Sequence, residues 1–165
     1  MKNGLVIADS GPIFSLASIN KLHLLDSLFD DVRIPQAVWK EITLKKSVKY
    51  YDKIVNYFES KVLKIKASNE LSFIMDYGES ESVILFREQN ANFLLIDDKK
   101  ARRIAEHLNI NCIGTLGLLV AAKEKGLVKN IQPIFKKLIE NKRYYSIELL
   151  NKILIQNDED IIDFN

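Results

Sequence analysis

The stretch 94-LLIDDKKARRIAEHL-108 sets an apolar run directly against two adjacent acids, Asp97 and Asp98, and then against the bases Lys99, Lys100, Arg102 and Arg103. Asp9 closes a similar apolar run, LVIA, near the N-terminus. Further acids lie in two helix-like segments: Glu41 in 35-PQAVWKEI-42, and Glu79 and Glu81 in 77-YGESESVILF-86. Carboxylates grouped without histidine or thiolate are hard oxygen donors, suited to Mg²⁺ or Mn²⁺. Two histidines, His23 and His107, and the single Cys112 cannot supply a four-ligand zinc site. An aspartate after a strand also serves as the N-cap of the following helix, a role that suits Asp98.

Acids so far apart in the chain act together only if the fold converges them. Residues 5–8 read as a short buried strand, and Ser10-Gly11-Pro12 as a helix start with Ser10 as the cap. Residues 32–34 read as a second strand, Pro35 opens a helix, residues 50–60 form another, and 62–65 is a weak strand. A helix over 79–89 leads to a strand over 93–96. Ala101, Ile104, Ala105 and Leu108 then form one helical stripe before a strand over 110–113. This alternation predicts right-handed crossovers and a three-layer α/β/α sandwich around a mainly parallel sheet, with the helices from Thr115 onward closing one side. In such a sheet the strand ends carrying Asp9 and Asp97 share one edge, the edge where open α/β folds place their sites. Glu79 and Glu81 lie roughly 200° apart around a helix. Because Val83, Ile84 and Leu85 follow Glu81, that acid is expected to face the sheet edge and Glu79 the solvent.

The chain's 165 residues, 47% hydrophobic and 28% charged, suffice for one sizeable core. Asp9 interrupts the first apolar run at once, so it forms neither a signal-peptide core nor a membrane span, and a cytosolic location is expected. The net charge is only +2, but 157-NDEDIIDFN-165 carries four acids and no base. Without those four, the 22 acids fall to 18 against 24 bases, leaving +6 on the remainder. A single domain over 1–156 with an acidic tail over 157–165 follows. Bases mix with aromatics in 45-KKSVKYYDKIVNYF-58 and 136-KKLIENKRYY-145, a texture compatible with phosphate contacts and base stacking.

Taken as a set, 7-IADSGPIFSLASINKLHLL-25, 34-IPQAVWKEI-42, 78-GESESVILF-86, 94-LLIDDKKARRIAEHL-108 and 113-IGTLGLLVAAKEKGLV-128 resemble the PIN-domain superfamily, the fold of VapC-type toxin ribonucleases. The resemblance implies metal-dependent cleavage of RNA phosphodiesters with Mg²⁺ or Mn²⁺. Asp9 would be the first acid, Glu41 the second and Glu81 the third; the fourth falls on Asp97 or Asp98. Ser10, Glu79 and Thr115 would support the site, and Lys99, Lys100, Arg102 or Arg103 would hold the phosphates of the strand. Implied partners are RNA, an antitoxin protein and a second copy of the chain. The alternative is a PIN-like module that binds RNA or protein without turnover. In the first assignment Asp97 holds metal while Asp98 caps a helix, so removing Asp97 would relieve repulsion and leave the metal-free chain at least as stable.

Overall fold

A computed structural model describes residues 2–163. Leu5–Ala8 is the first strand, β1; its alternation sends Val6 and Ala8 into the core on one face and Ile7 into the core on the other. The remaining strands are β2 (Asp31–Pro35), β3 (Val62–Leu63), β4 (Phe93–Leu95) and β5 (Cys112–Ile113). They pair in the order β3-β2-β1-β4-β5, and every pairing is parallel. Helices α1 (Ser10–Ser18) and α2 (His23–Leu28) join β1 to β2, and α3 (Gln36–Leu44) and α4 (Tyr51–Phe58) join β2 to β3. A 3-10 turn, Glu70–Phe73, and α5 (Tyr77–Glu88) lead to β4, and α6 (Lys99–His107) leads to β5. Then follow α7 (Thr115–Glu124), α8 (Gln132–Glu140) and α9 (Ile147–Gln156).

The helices form two layers. Val83 and Leu85 of α5, with Ala101 and Ala105 of α6, cover Ile7, Leu94 and Ile96 on one face. Leu16, Val38, Ile54, Leu118, Phe135 and Leu150 pack with Val6, Ala8, Ile34 and Leu95 on the other. The three-layer sandwich expected from the alternation is therefore present, and the helices after Thr115 close one side. β3 and β5 are shorter than the apolar runs around them, as befits edge strands with one neighbour each.

One local expectation changes. The cap position of α1 is Asp9, with an extended backbone (φ −84°, ψ 163°), and Ser10 is already helical. The cause is the sheet, because the Asp9 N–H donates to the Leu95 carbonyl at 2.9 Å and extends the ladder one residue past β1.

The acidic segment begins by docking. Glu159 accepts from Lys123 Nζ (2.6 Å) and from the backbone N–H groups of Ile131 and Gln132 (2.9 and 2.8 Å), at the start of α8. Ile162 is buried, with its N–H donating to Asn151 Oδ1 (2.8 Å). Phe164 and Asn165, also in that segment, lie outside the described residues. Among the described residues no helix is long and apolar enough to cross a membrane.

The strand order fixes the topological switch. The chain runs from β1 outward to β2 and β3, then returns to β4 and β5 on β1's other side, so the topological switch lies between β1 and β4. Asp9 follows β1, and Asp97 and Asp98 follow β4 shortly after its end.

Candidate active site

Asp9 is the most buried of these acids, at 6% exposure. Burial pushes its carboxyl up to about 7 from 3.8; a backbone hydrogen bond from Ser10 opposes the rise, and the charges of Glu41, Glu79 and Asp97 add to it. Carboxylates from α3, α5 and the end of β4 thus converge electrostatically on the acid that ends β1. Glu79 is raised as well, first by burial and then by the Asp98 charge; the hydrogen bond from the Asp76 backbone opposes the rise, and the charges of Asp76 and Glu41 add to it.

The convergence depends on a missing side chain. A Cβ at Gly78 would collide with the Glu41 carboxylate, lying 2.9 Å from its Cδ and nearer still to Oε1. Glycine on the first turn of α5 therefore makes the space into which α3 projects Glu41.

Asp97 and Asp98 diverge. Asp98 caps α6, its Oδ1 accepting the Ala101 N–H at 2.8 Å, and its side chain is otherwise exposed. This is the capping role read from the sequence. Asp97 turns toward α7: Oδ1 accepts the Thr115 N–H (2.8 Å), and Oδ2 accepts the Thr115 hydroxyl (2.7 Å) and the Tyr145 hydroxyl (2.9 Å). Thr115, expected near the site, is fully buried against it. Ser10, the neighbour of Asp9, reaches the site through its backbone.

Tyr145 was not anticipated as a site neighbour. Arg143 Nε donates to Ser15 Oγ (2.9 Å), Ser15 lies 2.8 Å from the Tyr145 hydroxyl, and Tyr145 donates to Asp97. With the tyrosine O–H directed at Asp97, the chain of donors runs from Arg143 through Ser15 and Tyr145 to Asp97. Burial and then the Asp97 charge hold the Tyr145 phenol up at about 12, so it remains a donor throughout the neutral range. Tyr145 is 48 residues from Asp97. The only signal for it was the basic-aromatic texture of 136–145. In the other such segment, Phe58 is core and Tyr57 donates to Asp26 (2.9 Å), so both of these aromatics have structural partners.

Of the two α5 acids Glu81 is the more buried and Glu79 the more exposed, as expected, but Glu81 is engaged in a structural hydrogen bond. Glu81 is buried and its Oε2 accepts the Ala37 N–H at 2.9 Å, satisfying a donor in the first turn of α3. Glu79 is only half-buried, and its charge is the one that reaches Asp9. It also reaches back to the Asp76 N–H (3.3 Å) in a capping box. Glu81 thus lies just past the end of β2, on the sheet edge expected for it, while the action of the Glu79 charge on Asp9 was not readable from the apolar residues after Glu81.

Cations flank the acids without neutralising them. Lys99, Lys100 and Arg103 are exposed on α6, and Arg102 pairs with Glu106 (3.0 Å). Arg33 pairs with Asp31, Arg102 with Glu106 and Lys123 with Glu159, and none of these pairs involves Asp9, Glu41, Glu79, Asp97 or Asp98. The donor chemistry therefore fits a hard divalent cation: oxygen ligands, buried negative charge and no ion-paired counter-ion. The described residues contain no ready-made group of three or more metal-competent side chains, so the carboxylates would have to draw together around the ion.

A family model described as PIN domain matches residues 5–159 of the chain. No curated protein and no solved structure matches it.

Proposed function

The chain belongs to the PIN-domain family, which has a nuclease-type fold, and from that premise we propose that it is a metal-dependent ribonuclease cutting single-stranded RNA at the β1–β4 edge. The observation that carries the reading is Asp9, a buried carboxyl at the topological switch whose proton affinity is raised by burial and by acids from three other elements. Strongly perturbed groups cluster at functional sites, where burial and like charges are arranged to shift them.

Asp9, Glu41 and Glu79 would hold Mg²⁺ or Mn²⁺, with Asp97 or Asp98 as the fourth acid. The ion, when bound, supplies a more acidic water and stabilises charge on the leaving oxygen. Asp9 keeps a proton near neutral pH in the metal-free chain and releases it when a cation compensates the charge. Asp97, fixed by Thr115 and Tyr145, orients this side of the site, while Glu81 steadies α3 and so positions Glu41 from behind. Lys99, Lys100, Arg102 and Arg103 draw the phosphodiester backbone to the edge. The reading carries with it a toxin role opposed by an antitoxin protein, a homodimeric state and a cytosolic location.

One observation favours the alternative of a binding module without turnover: Asp97, Asp98 and Glu81 all have structural hydrogen-bond partners, and no close-set ligand group is present among the described residues. Incubation of labelled single-stranded RNA with Mg²⁺, Mn²⁺, Zn²⁺ or excess chelator separates the two. The nuclease cuts with Mg²⁺ or Mn²⁺, stops with chelator and is not restored by Zn²⁺ alone. The module binds and does not cut under any of these conditions.

A further inference from the structure

A groove of ≈ 550 Å³ runs from Asp97 and Asp98 across the start of α7 to α9. Its chemistry changes along its length. At the acid end stand Lys99 and Arg102, and at the far end Tyr144 and Leu149. Gly114 and Gly117 also line it. A Cβ at Gly114 would lie 3.1 Å from Asp97 Oδ1 and 3.3 Å from Arg102 Nη1, so glycine lets a carboxylate and a guanidinium share one wall.

Tyr144 is the anomaly. It follows Arg143 and precedes Tyr145, both built into the hydrogen-bond chain ending on Asp97, yet Tyr144 is itself 83% exposed. Its backbone is thereby held by the site's own network while its ring stands in solvent, in the groove that Lys99 and Arg102 also line. Large exposed aromatics next to guanidinium and ammonium groups are the elements of a stacking platform for unpaired bases, and stacking is tolerant of sequence because every base has a π face.

We propose that this groove is a nucleotide subsite for single-stranded RNA: one unpaired base stacks on Tyr144, and the phosphate on the acid side of that nucleotide is held by Lys99 and Arg102. The subsite rests on the ribonuclease reading, which supplies the substrate class, and adds to it a recognition residue. Continuity with the candidate site favours RNA over a protein segment: the groove shares Asp97 and Asp98 with that site, and the exposed Lys99 and the outer nitrogens of Arg102, whose Nε is taken by Glu106, stand beside these acids as phosphate donors.

The test is binding of a single-stranded RNA containing 2-aminopurine, measured by anisotropy and by quenching of the probe, in Ca²⁺ and again in chelator at low salt. Tyr144→Ala weakens binding about tenfold and removes the quenching, while Tyr144→Phe retains both, since stacking needs the ring and not the hydroxyl. A duplex of the same sequence, whose bases are already stacked, binds both proteins alike. Because Tyr144 is exposed, the variant's melting temperature is unchanged, and that control keeps the comparison interpretable. Equal affinity of wild type and Tyr144→Ala, or no binding by wild type in either condition, overturns the subsite. So does loss of self-association in Tyr144→Ala with RNA affinity intact, which assigns the ring to a second copy of the chain. Tyr144-dependent binding without Mn²⁺-dependent cleavage keeps the subsite and removes the nuclease reading; cleavage with binding indifferent to Tyr144 does the reverse.

Discussion

Glu81 Oε2 accepts the Ala37 N–H at 2.9 Å, tying the first turn of α3 to α5. The tie matters because α3 carries Glu41, and α5 carries both Glu79 and the glycine that makes room for Glu41. One buried hydrogen bond thus sets the spacing of two acids that press on Asp9.

Separating Glu81 from Glu79 follows directly. Glu81→Ala leaves a buried N–H without its acceptor and lowers stability by about 1–3 kcal/mol. Glu81→Gln keeps an acceptor, loses less, and retains stabilisation by Mn²⁺. Glu79→Gln is expected to lose most of the Mn²⁺ response while unfolding within about 1 kcal/mol of wild type, the scale of a capping interaction. Urea unfolding with and without Mn²⁺ reads both quantities, and the opposite pattern would return the third-acid role to Glu81.

The adjacent pair Asp97 and Asp98 should differ in stability. Asp98→Ala removes a helix cap, worth about 0.5–2 kcal/mol. Asp97→Ala removes the acceptor for the Thr115 N–H, the Thr115 hydroxyl and Tyr145, so its loss is larger, about 2–4 kcal/mol, since hydrogen bonds to a charged group are worth about 1.5–3 kcal/mol each and do not add fully. This reverses the expectation from repulsion alone that removing Asp97 would leave the metal-free chain at least as stable. Thermal melts in chelator decide it: a melting temperature for Asp97→Ala at or above wild type would restore the repulsion argument.

Gly78→Ala tests the site with little effect on the fold. Alanine favours a helix by about 1 kcal/mol over glycine, and its Cβ displaces only the flexible end of Glu41. Stability is expected to stay within about 1 kcal/mol of wild type while cleavage falls at least about tenfold, through a displaced ligand. Rates and melting temperatures measured on one preparation check the split. Equal loss of both would mean that Gly78 is needed for packing alone.

Much of this was legible in the sequence. The 93–96 run and the stripe Ala101, Ile104, Ala105 and Leu108 announce a strand and a helix because burial on the sheet demands those periods, and Asp98 announces a cap by its place between them. The edge shared by Asp9 and Asp97 followed from parallel strands. What stayed hidden depends on distant pairings. Tyr145 reaches Asp97 through a loop between α8 and α9, and no local period encodes that reach. Glu81 is buried as its apolar run announces, but that its carboxylate is taken by the Ala37 N–H while the Glu79 charge reaches Asp9 follows from α3 packing on α5, a tertiary contact that no local period encodes. Ser10 lost the cap position to Asp9 because a ladder bond to Leu95 extends the strand geometry by one residue.

The Asp9 carboxyl, at about 7 in the folded chain against 3.8 as the ordinary value, makes metal-free stability fall with rising pH. The folded state holds this proton more tightly, so the contribution is complete below pH about 4 and is lost as pH rises through about 7. The difference is worth at most about 4 kcal/mol, at about 1.4 kcal/mol per pKa unit. In chelator the melting temperature therefore drops between pH about 4 and about 7 and levels off above, and Asp9→Asn flattens that drop and is the more stable protein at the alkaline end. A wild-type profile as flat as that of Asp9→Asn would show that Asp9 is not the group under strain.

The measurement closest to the central claim is the rate at which Asp9→Asn cuts single-stranded RNA in Mn²⁺, set beside wild type and Glu81→Gln. If the acids around Asp9 form one metal-dependent centre, Asp9→Asn cuts at least about a hundredfold more slowly, the scale set by removing a group that acts in the transition state, while Glu81→Gln stays within about tenfold of wild type. Cleavage by Asp9→Asn at the wild-type rate, or by wild type undiminished in excess chelator, would contradict it.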